Sequence, residues 1–128
     1  MKRLLILLVL TSLVSCKLYV SIPDENFEQA LIKLGCDDNL FPDGKVPKRK
    51  IDTLKVLIVR NKSISDLTGI ESFTDLQALH CYGNKLTSLD INNNTALTEL
   101  SCDGNKLTSL DVSKNTDLER LYCNDNQL

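Results

Sequence analysis

The octapeptide GNKLTSLD occupies Gly83–Asp90 and returns unchanged at Gly104–Asp111, twenty-one residues on. Working outward from it, four units align on their first leucine: LKVLIVRNKSISDLTGIESFTD from Leu54, LQALHCYGNKLTSLDINNNTA from Leu76, LTELSCDGNKLTSLDVSKNTD from Leu97 and LERLYCNDNQL from Leu118. The middle two agree at thirteen of twenty-one positions. Apolar residues fall at offsets 0, 3, 5, 10 and 13 of the full units. That spacing fits neither a helix face nor a long alternating strand, but it fits a chain that turns back on itself once per unit. A lone coil buries too little to offset the ordering of its backbone. Stacked coils share one core and one sheet, so near-identical neighbours select near-identical sequences.

The pattern L-x-x-L-x-L-x-x-N-x-L, with Cys81, Cys102 and Cys123 at the third apolar position and Asn84, Asn105 and Asn126 at the asparagine, resembles the leucine-rich repeats. The resemblance implies an α/β solenoid over residues 54–128, a right-handed coil of about 3.5 units with a parallel β-sheet on its concave face. The three asparagines are expected to form a structural column, because an inward amide can both donate to and accept from backbone groups that leave the sheet. In the first unit Lys62 holds that offset and Asn61 stands one place early, so the first turn is expected to be irregular. The stretch ISDLTGIESFTDL of that unit also resembles the repeats of internalins. Together with IPDENFEQALIKLG and the leader described below, it is similar to exported leucine-rich repeat proteins of Bacteroidetes. The resemblance makes the helix an N-terminal cap over the first coil.

That helix is read from Phe27, Ala30, Leu31 and Leu34, spaced to share one face. Pro23, Asp24 and Glu25 suit its start, Lys33 and Gly35 its end. DDNLFPDGKVPKRK follows and reads as a loop with one short strand. Asp37, Asp38, Asn39 and Asp43 miss the alternation of an EF-hand, so turn chemistry is expected there, with no metal and no cofactor. Lys48-Arg49-Lys50 is expected to be solvated. At the start, MKRLLILLVLTSLVSC joins a basic end to an apolar run too short to span a bilayer and reads as an export signal. Its Leu13-Val14-Ser15-Cys16 resembles the bacterial lipobox, which implies a lipoprotein attached to the membrane through Cys16; plain secretion is the alternative. The expected division is a signal peptide at 1–15, an anchor residue, linker and helical cap at 16–53, and repeats at 54–128. The chain stops at offset 10 of its last unit, where a longer repeat protein or a fraying end is expected.

The composition, 42% hydrophobic and 25% charged over 128 residues, is that of one globular domain. The net charge is -2, and without the first fifteen residues, which hold Lys2 and Arg3 and no acid, it is -4. This excludes the basic face that nucleic-acid binding requires. Cys81, Cys102 and Cys123 recur where the first unit has Val59, and are expected as buried thiols. A strained bridge between neighbouring strands and a metal site are the alternatives, disfavoured by geometry and by the lack of a C-x-x-C motif or a histidine beside them. Cys36 is expected to pack on the end of the helix.

Alternation puts offsets 2, 4 and 6 on the exposed sheet face: Val56, Ala78, Glu99 and Arg120; Ile58, His80, Ser101 and Tyr122; Arg60, Tyr82, Asp103 and Asn124. Arg60, His80, Tyr82, Glu99, Asp103, Arg120 and Tyr122 are the candidate ligand-binding residues, with the tyrosines as anchors. No enzyme is expected, since His80 is the sole histidine and an open sheet excludes no water. The function expected is a protein-binding module at the outer membrane or cell surface. A glycan-binding surface and a spacer without a ligand are the alternatives, and the oligomeric state is left open.

Overall fold

The computed structural model describes residues 18–128, so the export signal and Cys16 lie outside the described residues. β1 (Tyr19–Ser21) pairs antiparallel with β2 (Lys45–Pro47), and α1 (Glu25–Lys33) lies between them in sequence. Asp24 caps α1 by accepting the N–H of Phe27 at 2.9 Å through Oδ1. Its Oδ2 accepts from Ser65 and Asp66, tying the helix start to the first repeat. Phe27, Ala30 and Leu31 are buried as their spacing predicts. Leu34 departs from that expectation: it is the C-cap residue, 50% exposed, because the chain leaves the helix before a fourth apolar residue can face the core. Cys36 does pack back, its N–H donating to the carbonyl of Leu31 and its side chain buried.

The segment read as loop contains more order than its composition suggests. β2 is the expected short strand, but Lys48-Arg49-Lys50 opens a helical turn, α2 (Lys48–Ile51), rather than sitting in a loop. Pro47 sits ahead of its first turn, Ile51 is fully buried, and Lys48 pairs with Asp52 one turn on. Arg49 and Lys50 both reach Asp38.

From Leu54 each unit contributes one three-residue strand: β3 (Val56–Ile58), β4 (Ala78–His80), β5 (Glu99–Ser101) and β6 (Arg120–Tyr122). They form a parallel sheet in the order β3-β4-β5-β6, with Leu57, Leu79, Leu100 and Leu121 in register. Behind it lies a continuous core of Val59, Ile64, Leu67, Ile70, Leu76, Cys81, Leu86, Leu89, Ile91, Leu97, Cys102 and Leu107, which runs on into Ile22, Phe27 and Leu31. The residue seven places after each first leucine adopts a left-handed conformation in every coil: Asn61 (φ 53°), Gly83 (67°), Gly104 (61°) and Asp125 (52°). The strand must turn there, and the two middle coils use glycine, which carries no steric penalty. The first turn holds a second residue of this kind, Ser63 at φ 58°, the irregularity expected where Lys62 replaces asparagine.

Candidate functional site

Two columns of buried amides hold the coils in register and so fix the sheet. Asn84 Oδ1 accepts the N–H groups of Lys62 and Ile64, both at 3.0 Å, while its Nδ2 donates to the carbonyls of Val59 and Cys81 at 2.9 Å. Asn105 does the same one coil later, accepting from Leu86 and donating to Cys81 and Cys102. Asn126 accepts from Leu107 and donates to Cys102 and Cys123. Each asparagine therefore completes the turn of the coil before it.

The second column was not read from the sequence. Asn94 and Asn115 are buried on the far side of the coil, where Asn94 Nδ2 donates to Ile70 and Phe73 and Asn115 Nδ2 to Ile91 and Asn94. Their signal was present as N-T-x-L at Asn94–Leu97 and Asn115–Leu118. The equivalent position in the first coil is Phe73, whose carbonyl likewise accepts the N–H three residues on. Its neighbour is α1 rather than a coil, and its ring stacks on Phe27 with centroids 6.3 Å apart.

Cys81, Cys102 and Cys123 stand in adjacent strand exits as free thiols, the first two fully buried and the third half-buried. Burial pushes the Cys102 thiol up to about 12, with Cys123 adding to the effect. Burial, then Cys102, raises Cys81 in the same direction. Cys81 and Cys102 are thereby kept in the protonated form at neutral pH.

On the opposite, solvent-facing side of the sheet, strand register gathers the candidate residues into pairs. Glu99 sits between His80 and Arg120: Arg120 Nε and Nη2 both lie 2.8 Å from Glu99 Oε2, and His80 Nε2 is 3.5 Å from Oε1. Glu99 in turn holds the Arg120 guanidinium above its ordinary pKa. Arg60 donates to the hydroxyl of Tyr82 and lies over its ring, 5.7 Å from the centroid. Partial burial pushes the Asp103 carboxyl up, but donors from Asn124 and the Ser101 hydroxyl outweigh it and hold the group below the usual range. Ser101 differs from the expectation of exposure. It is on this face, bonded to Asp103 at 3.1 Å, yet 7% exposed, flanked in register by His80 and Tyr122.

Exposed aliphatic and aromatic side chains stand among these polar groups. Tyr122 is 45% exposed, Val56 51% and Ile58 47%. Beside Ile58 a cleft of about 360 Å³ is lined by Ala30, Lys33, Leu34, Arg60, Asn61 and Lys62. It joins the start of the sheet to the end of α1, and its ionisable residues are all basic. Sequence reasoning placed Val56 and Ile58 on this face but passed them over as binding residues because isolated exposed aliphatics carry no polar signature.

Parallel strands of three residues, one per coil of about twenty-one, with asparagine ladders between coils, are the marks of a leucine-rich repeat solenoid, and the solved structures this chain is similar to include internalins. Internalin J of Listeria monocytogenes serotype 4b is 41% identical over 73 residues, 57% of this chain and 8% of that protein. The chain thus spans less than a tenth of the curated relative it matches. The solved functional domain of internalin J, whose structure is described as including a cysteine ladder, superimposes with a TM-score of 0.74 at 38% identity, over 84% of this chain and 24% of that one. Internalin C2 of the same species superimposes with a TM-score of 0.65 at 23% identity, over 75% of this chain and 42% of that one, a likeness of fold alone. No family model matches the chain.

Proposed function

We propose that this chain is a non-enzymatic binding module of an exported lipoprotein, and that the solvent-facing sheet, the concave face of the solenoid, holds a protein partner. The observation that carries the reading is the exposure of Val56, Ile58 and Tyr122 on a sheet where Glu99 holds Arg120 and Tyr82 accepts from Arg60. A rigid face with aromatic and aliphatic contact area and a polar surround is suited to protein recognition, in which a few desolvated anchors supply most of the affinity. Arg60, His80, Tyr82, Glu99, Asp103, Arg120 and Tyr122 are assigned to the contact, and α1 caps the first coil, covering Phe73 with Phe27. The stacked thiols of Cys81 and Cys102 serve the core.

The test is a binding screen of the full chain against panels of extracellular proteins and polysaccharides, repeated with Ile58→Glu and Tyr122→Ala. The reading expects protein hits that both variants lose and that a far-side variant, Lys114→Glu, retains. Polysaccharide hits with the same dependence transfer the site to glycans; hits indifferent to both variants remove the site from this face. Anchoring is tested separately by metabolic labelling with a fatty acid, which Cys16→Ser must abolish.

A further inference from the structure

Three carboxylates that play no part in the repeats converge beneath α1. Glu28, in the middle of the helix, is 1% exposed, and Asp37, just past it, is 7% exposed. Asp43 lies ahead of β2, and one oxygen from each of the three is within 4.8 Å of the others. Buried acids are rare unless their charge is met.

Here it is met only in part. Glu28 Oε1 accepts the N–H groups of Asp43 at 2.7 Å and Lys45 at 3.3 Å, and Oε2 accepts that of Gly44 at 2.8 Å. A carboxylate offers about four lone-pair positions, so Glu28 retains one. Asp37 Oδ1 accepts from Asn39 at 3.2 Å, as turn chemistry requires. Asp37 Oδ2 is buried with no hydrogen-bond partner, and turn chemistry does not account for it. Nor do the nearby cations. Lys45 lies 3.9 Å from Asp43, while Arg49 and Lys50 are committed to the exposed Asp38. Among the described residues no ion pair reaches Glu28 or Asp37.

The geometry points to a divalent-cation site of the calcium type, formed by Glu28, Asp37 and Asp43. Calcium prefers oxygen ligands, carboxylates above all, and tolerates irregular placement. Two oxygens bound to one calcium ion at 2.3–2.6 Å stand at most about 5 Å apart, so oxygens within 4.8 Å of one another can share it. Magnesium, with shorter bonds and a strict octahedron, would require the three groups to move together. The partly exposed side of Asp43 leaves room for water to complete the shell. A bound ion would fasten both ends of the 37–43 loop, which presents the exposed Leu40 and Phe41, to the helix.

Glu28 comes from the helix nine residues upstream of Asp37, outside the loop whose carboxylates read as turn chemistry.

The experiment is calorimetric titration of the chelator-treated full chain with CaCl₂, and separately with MgCl₂, alongside thermal melts. One calcium per chain is expected, with a Kd of about 10⁻⁴ to 10⁻³ M, as in extracellular modules, and a rise in Tm that magnesium reproduces weakly. Asp37→Asn, close to isosteric, should weaken binding at least about tenfold, the equivalent of about 1.4 kcal/mol. Asp43→Asn, at a more exposed position, should also weaken it, and supplies the test if Asp37→Asn does not fold. Asp38→Asn should bind as the wild type does. The proposal is overturned by the absence of both heat and Tm shift at about 10 mM CaCl₂, ten times the weakest expected Kd. It is equally overturned if Asp38→Asn loses as much affinity as the other two, or if all three variants bind like the wild type.

Discussion

Replacing the ladder asparagines one at a time by alanine should give a graded loss of stability whose order follows from the bonding. In Asn105→Ala the carbonyl of Cys81 keeps a donor in Asn84 and that of Cys102 keeps one in Asn126. The group left with no partner is the buried N–H of Leu86. Stranding one such group costs about 1–3 kcal/mol, so a loss of about 2 kcal/mol is expected. Asn84→Ala strands three groups, the N–H of Ile64, the buried carbonyl of Val59 and, less deeply, the N–H of Lys62; about 3 kcal/mol is expected on the same scale. Asn126→Ala frees the part-buried N–H of Leu107 and the part-buried carbonyl of Cys123, both within reach of water, and about 1 kcal/mol is expected. Urea denaturation followed by far-ultraviolet circular dichroism, compared through midpoints at a shared m value, measures the three differences. The reverse order, or an Asn84→Ala variant as stable as the wild type, would refute the idea that these amides hold the coils together by satisfying backbone groups.

Gly104→Ala should lose about 1–2 kcal/mol from left-handed strain alone, since a β-carbon there meets nothing closer than 3.6 Å. Gly83→Ala should lose more, because its β-carbon would stand 1.9 Å from Asn61 Oδ1, and adding Asn61→Gly should return the excess in the same urea assay. Phe73→Ala, which unstacks the helix from the first coil, should cost about 3–5 kcal/mol. The thiols predict alkaline sensitivity. Unfolded Cys102 ionises near 9.0 and the folded group near 12, so its contribution is intact below about pH 9 and declines as pH rises towards 12. Replacing Cys81 and Cys102 by valine, the residue used at Val59, should flatten that decline in a pH series of urea midpoints.

The repeats were legible because their sequence period is also their spatial period. Once Gly83–Asp90 is aligned on Gly104–Asp111, the strand register, the inward cysteines and the Asn84 column follow from one offset table. The N-terminal segment offers no second copy to average over. Glu28 sits at a position that usually faces solvent on an amphipathic helix, and only the folded loop reveals that three N–H groups meet it there. Lys48–Ile51 reads as charged loop because a single helical turn is too short to show a period. On the sheet, alternation was enough to name which residues share a face. It could not say that Glu99 binds Arg120, or that Ser101 is covered, since both depend on side chains from neighbouring coils.

The ladders have a direction, and it bears on how such a gene can change. Asn84, Asn105 and Asn126 each reach back to the preceding coil, so every unit offers its successor the same set of open backbone groups that it closed in its predecessor. A duplicated segment of twenty-one residues, spliced in between Leu76 and Leu118, would meet matching hydrogen bonds at both of its joints. The length of such an array can therefore change in steps of one coil while the hydrogen bonding of the rest of the fold is undisturbed.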